Sequence, residues 1–247
     1  MIKTIIFLTK LAVATAIALL LTSCRHSINF TEGIKGNGNV TTQSRNISQN
    51  FKSIEVSHGI NLIIEQSDAK SVTVEADENL LSNIITRVEN GVLIIESNKG
   101  YNTEFTPQVT VKIPDINGLT ASSGANINSN NTLVTDNMAV KAESGSQINI
   151  QVEADNITIE NSEGSGTTVS GKALKLETTA TEGSSIDAGR LAANVVTAQA
   201  NSGSSTSVDA IVTLDGKASS GASVTYKRAP KTTLVKEENS GGSVSQQ

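Results

Sequence analysis

Six glycines, Gly124, Gly145, Gly164, Gly183, Gly203 and Gly221, recur at intervals of 21, 19, 19, 20 and 18 residues. The residues around them form columns. Three before each stand Ala121, Ala142, Asn161, Ala180, Ala200 and Ala218. Seven before stand Asn117, Met138, Ile157, Leu176, Val196 and Leu214; three after stand Ile127, Ile148, Thr167, Ile186, Thr206 and Val224. The position five after runs from Ser129 through Ile150, Val169, Ala188 and Val208 to Tyr226, and the one directly after is always Ala or Ser. Within each strand these columns are four residues apart before the glycine and two apart after it, whole multiples of the period of one face of a β-strand. The repeat therefore reads as strand, tight glycine corner, strand and a polar return of variable length. Such a period predicts a parallel β-solenoid in which like positions stack between coils. The alanine column marks a narrow place beside the corner.

One coil cannot fold alone. Its four inward residues do not offset the conformational entropy of ordering about nineteen, so stacking must supply the rest, and one cooperative domain over 50–228 is expected. A β-sandwich also uses short strands with glycine turns, but it does not predict an alanine column tied to the glycines. Gly59 opens the same frame, with Ile54 and Val56 before it and Leu62 and Ile64 after it. Residues 65–116 then form a longer excursion. Inside it Asn90-Gly91 signals a β-hairpin, since both residues of a type I′ turn need positive φ. "DENLLSNI" suggests a short helical turn with Asp77 as N-cap.

The ends read differently. Lys3 and Lys10 precede an apolar run, Leu11 to Leu21, which is the right length for a signal h-region. It closes on "LTSC", the pattern of a bacterial lipobox, with Cys24 the chain's only cysteine. Residues 1–23 are thus expected to be a cleaved lipoprotein signal peptide, and Cys24 the acylated first residue of an anchored protein. Arg25, where Asp would favour inner-membrane retention, fits sorting to the outer membrane. Residues 24–49 are expected to be a tether and 229–247 a flexible tail. Loss of the two leader lysines leaves 17 basic and 24 acidic residues, a formal charge of −7. That argues against nucleic acid as a partner. With no Trp, the chain also has few aromatic platforms for carbohydrate.

Residues 36–81 resemble the head GIN domain family of putative auto-transporter adhesins. The likeness rests on Gly59-Ile60-Asn61 and on Gly36, Gly38, Val40, Arg45, Phe51, Ile54 and Val56 before it. The Ser-Gly repeats extend it to about residue 228. The resemblance implies a right-handed parallel β-helix in a lipoprotein or secreted envelope protein, many members coming from Bacteroidota. Adhesion is an inference carried by the family's name. His58 stands where a small residue is more usual.

No residue set points to catalysis. Glu143, Glu163 and Glu182 lie near successive corners, and Glu163 and Glu182 could come within one strand spacing, about 5 Å, as a cation site; the plainer reading is a solvated edge. The only histidines are His26 and His58, and a hydrolase would need an oriented acid beside one of them. "GNGN" at 36–39 lacks the lysine and helix of a phosphate loop. No cofactor or metal is expected. The remaining candidate is the ladder of Ser, Thr and Asn on a rigid ridge, suited to a glycan or protein ligand. The alternatives are a β-helical enzyme acting on polysaccharide and a structural component that self-associates through the ends of its solenoid.

Overall fold

The computed structural model describes residues 33–247. The leader, His26 and Cys24 lie outside the described residues. Nearly every described element is a strand, and the strands stack as a parallel β-solenoid. The long strands Asn126–Ala142, Gln147–Asn161, Gly166–Ala180, Ser185–Ala200 and Ser205–Ser219 pair in parallel, each with the next. Every one of them wraps a whole coil between two glycine corners.

Corners form at eight pairs, from His58-Gly59 to Ser240-Gly241, where both residues have positive φ. In seven of them, from Ser122–Ala125 to Asn239–Gly242, the fourth N–H donates to the first carbonyl at 2.9–3.3 Å. Two left-handed residues closed by that bond are the pattern of a type I′ turn. Corners also bond to one another. The Gly124 N–H donates to Ser144 O at 3.0 Å, Gly145 to Glu163 O at 3.0 Å and Gly164 to Glu182 O at 3.1 Å.

The alanine column is sealed, no member exceeding 3% exposure, Asn161 included. Behind each corner the Ala-or-Ser position is buried too, and its serines work. The Oγ atoms of Ser146, Ser165, Ser184 and Ser204 donate at 2.7–3.0 Å to the carbonyls of Ala121, Ala142, Asn161 and Ala180 in the preceding coil. Each of these carbonyls already accepts a backbone N–H from the following coil, so the small hydroxyl adds a second bond and leaves no buried donor of its own unpaired.

Each coil also has a softer second bend, where the inward alternation changes phase. Ile148, Ile150 and Val152 face in, then Ile157 and Ile159. Differences in coil length are absorbed around this bend, as register shifts at Asn128/Thr132, Thr168/Ser170, Ala188/Ala192 and Ala193/Val195.

Three expectations about the ends and the columns need correction. The tether of 24–49 is in part structure: Ile34–Lys35 and Val40–Arg45 are strands, the second running antiparallel to Ser71–Asp77. Val40–Arg45 buries almost no apolar surface, so it shows little apolar alternation; the backbone ladder holds it. The tail is a further coil, Thr233–Asn239 and Ser243–Gln246, pairing with Thr213–Ser219 and Ser223–Tyr226. Its composition reads as frayed because Thr233–Asn239 is wholly exposed and only Val244 enters the core. Third, Asn117 is exposed, and Ile116 takes the inward place at the start of its coil.

The excursion builds one end of the stack. Ile84–Glu89 and Val92–Ser97 form the hairpin, turning at Asn90 (φ 51°) and Gly91 (φ 79°). Val92–Ser97 then pairs in parallel with Ser53–Val56, and Gln108–Ile113 with Asn61–Gln66. The short helical turn is a 3-10 helix, Glu78–Leu80, but the Asp77 side chain does not cap it. The Asp77 carboxylate instead accepts a hydrogen bond from Thr103 Oγ1.

Candidate functional site

The motif residues of the N-terminal half have structural work. Gly59 (φ 70°) donates its N–H to Ser123 O at 3.0 Å, locking the first corner onto the next. Ile60 is fully buried, and Asn61 Oδ1 accepts from Asn126 Nδ2 at 3.0 Å. A Cβ on Gly36 would meet Asp77 Oδ2 at 2.0 Å, so only glycine fits. Arg45 Nη2 donates to Leu81 O at 2.6 Å and Ile84 O at 3.2 Å, tying its strand to the hairpin; burial holds its guanidinium below the usual arginine range.

Glu163 and Glu182 share a column, but Ser144 Oγ in the preceding coil donates to the Glu163 carboxylate, and Glu143 pairs with Lys141 at 2.7 Å. Among the described residues no group of three or more His, Cys, Asp and Glu is placed to hold a metal. His58 sits exposed at its corner; its Nδ1 is 2.7 Å from Ser57 Oγ, and its carbonyl accepts from the Tyr101 hydroxyl at 2.6 Å. No carboxylate among the described residues is a hydrogen-bond partner of its ring.

A groove of about 950 Å³ crosses successive coils at the second bend, from Asn117 to Ile211. Its apolar wall carries Val134 and Leu174, which at 59% and 55% are the most exposed large apolar side chains among the described residues. Alanines 154, 173 and 192 line it as well. Four carboxylates border it, Asp115, Asp136, Glu153 and Asp155, against two lysines. Lys52 lies 3.5 Å from Asp115 and Lys172 lies 3.8 Å from Glu153, both loose exposed pairs. Asp136 and Asp155 have no cationic partner among the described residues. The groove was not foreseen: its lining columns keep register from coil to coil, but their facing a concavity depends on how the coils bend.

A parallel β-solenoid with one end closed by antiparallel strands and a groove along its flank belongs to the repeat-built scaffolds that present a surface. Comparison with known families matches residues 50–230 to the one described as "Putative auto-transporter adhesin, head GIN domain". The chain belongs to that family. Crystal structures titled as putative adhesins share the fold. One from Bacteroides fragilis has a TM-score of 0.77 at 18% identity, covering 87% of this chain and 100% of its own. One from Parabacteroides merdae has 0.71 at 20%, covering 87% and 98%. A structure from Parabacteroides distasonis, titled a putative lipid binding protein, has 0.67 at 21%, covering 87% and 99%. A search of curated proteins found no match. No helix among the described residues is long and apolar enough to cross a membrane.

Proposed function

We propose that this chain is a noncatalytic binding protein of the cell envelope, anchored at the outer membrane through lipid on Cys24, which engages its partner along the flank groove. The groove carries the reading. It is a broad concavity that runs across several stacked coils, and its polar rim and aliphatic wall are characteristic of binding sites. The family's adhesin description and the likeness to crystal structures of putative adhesins support a binding role. The lipobox pattern at 21–24 supports the anchor.

The anchor is tested by labelling cells with radioactive palmitate. Label should enter the wild type and be absent from Cys24→Ser, which should leave the membrane fraction. Wild-type protein that takes up no label would overturn the lipid anchor. Protease shaving of intact cells then tests access to external partners: cleavage is expected of an adhesin, and complete protection would restrict the protein to periplasmic ligands.

A further inference from the structure

We propose that the flank groove takes a cationic, extended peptide segment in which Lys or Arg alternates with aliphatic residues. This deepens the binding reading above and rests on it. Pairing of the flanking residues fixes the order along the bend. Thr135 pairs Ala154 and Asn137 pairs Asn156, which sets Asp136 beside Asp155 one coil on. Ala154 pairs Ala173 and Asn156 pairs Lys175, which sets Leu174 next in the row. The row therefore runs acid, acid, leucine.

Neighbouring strands lie about 4.8 Å apart, so the two carboxylates stand side by side. Like charges directly opposed across a strand pair destabilise the sheet. Several acids on neighbouring faces have a lysine of their own: Lys141 pairs Glu143 at 2.7 Å, Lys175 pairs Glu177 at 2.6 Å and Lys217 pairs Glu237 at 2.9 Å. Asp136 and Asp155 have no such partner among the described residues. A ligand cation would supply it, and the exposed Val134 and Leu174 would cover the aliphatic stem and neighbouring side chains. The wall is aliphatic throughout, with no aromatic residue lining it. That favours peptide side chains over the faces of sugar rings. Complementary charge would also steer such a ligand toward the groove.

The test is calorimetric titration of the folded protein with acetyl-KLKLKL-amide, with acetyl-ELELEL-amide and acetyl-QLQLQL-amide as controls. Methyl NMR of Val134, Leu174 and Ile211 locates the contact. The cationic peptide should bind, shift these methyls and weaken with added salt, while the acidic peptide should not bind. Asp136→Asn/Asp155→Asn should lose about tenfold in affinity yet be no less stable, because it removes a repulsion. A second variant, Val134→Ser/Leu174→Ser, should weaken the peptide without changing its salt dependence. Equal binding of the KLKLKL and QLQLQL peptides, or undiminished binding by the Asn variant, would overturn the proposal. So would absence of any methyl shift. A glycan mixture that shifts the same methyls while the cationic peptide does not would sink the peptide assignment and leave the groove as a binding site. If neither ligand moves them, the binding reading of the groove falls with it.

Discussion

Thr167 donates its hydroxyl to Asn161 Oδ1 at 2.8 Å, inside the solenoid, where neither residue exceeds 3% exposure. Asn161 Nδ2 completes the arrangement by donating to Ser185 O at 2.7 Å. The two face each other across one corner, where other coils place Ala142 with Ile148 and Ala180 with Ile186. A bonded polar pair thus replaces a small-large apolar pair of the same register. Asn161→Ala alone leaves the buried hydroxyl stranded and should cost about 1–3 kcal/mol. The double variant Asn161→Ala/Thr167→Ile restores the arrangement of the neighbouring coils and should recover most of that loss in chemical denaturation. A double variant no better than the single one would show that the two sites act independently.

Thr206 occupies the same column as Thr167 but faces Ala200, and its buried hydroxyl has no partner among the described residues. Removing an unsatisfied buried group should help. Thr206→Val is expected to stabilise by about 1 kcal/mol, where Thr167→Val destabilises. Opposite signs from one substitution at equivalent places are the measurable outcome.

The corner glycines and Gly171 should respond differently to alanine. At Gly164 a Cβ would meet nothing within 4 Å, so only the left-handed φ of 68° resists it. That strain is about 1–2 kcal/mol. Gly171, with φ of 127°, would drive a Cβ to 2.0 Å from Val152 O, a backbone atom of the adjoining coil that cannot rotate away. Gly171→Ala should therefore cost more than about 3 kcal/mol, beyond ordinary overpacking. Thermal unfolding of the two variants side by side tests the order.

This contrast shows what a single sequence can and cannot disclose. Gly164 is legible because a corner repeats in every coil and its conformational demand is local. Gly171 carries no such mark, since its need comes from the carbonyl of another coil. Asn161 and Thr167 stood out as exceptions to two columns, but that they satisfy each other depends on their meeting across the corner. Ser240-Gly241 was readable in principle: Gly241 follows Gly221 by 20 residues and Val244 stands three after it. Glu238, where alanine is expected, and the polar surroundings hid it. The groove was least legible of all: Asp136, Asp155 and Leu174 share one column, each nine before its corner glycine, but that this column borders a concavity depends on how the coils bend.

Arg228 binds Asp209 through two hydrogen bonds, at 2.5 Å to Oδ1 and 2.6 Å to Oδ2. The aspartate side chain is 3% exposed and the guanidinium half exposed. Hydrogen bonding to Asp209 and its charge hold Arg228 above the usual arginine range. The pair fastens the turn after Ser223–Tyr226 to the coil before it. Arg228→Ala strands a buried carboxylate and should lower the Tm. Asp209→Asn/Arg228→Ala should recover part of the loss, because a neutral amide is less costly to bury than an unpaired charge. A double variant less stable than Arg228→Ala would show that the arginine does not neutralise Asp209.

Tyr101 links the cap to the first corner, its hydroxyl donating to His58 O at 2.6 Å. Partial burial raises its phenol above the ordinary value of 10.0. The unfolded chain ionises first as pH rises, so the folded state then holds the extra proton. Stability from this group is complete below about pH 10 and is lost as pH climbs from there through the raised value. Lys141 and Lys217, raised by hydrogen bonds to Glu143 and Glu237, act in the same direction, so the wild type must be compared with a variant. Tyr101→Phe should be less stable at pH 8 by about 1 kcal/mol, the usual worth of one hydrogen bond. Between pH 9.5 and about pH 11 it should lose less than the wild type. Denaturant midpoints across that range decide it: parallel curves for the two proteins would mean that the phenol does not sense the fold.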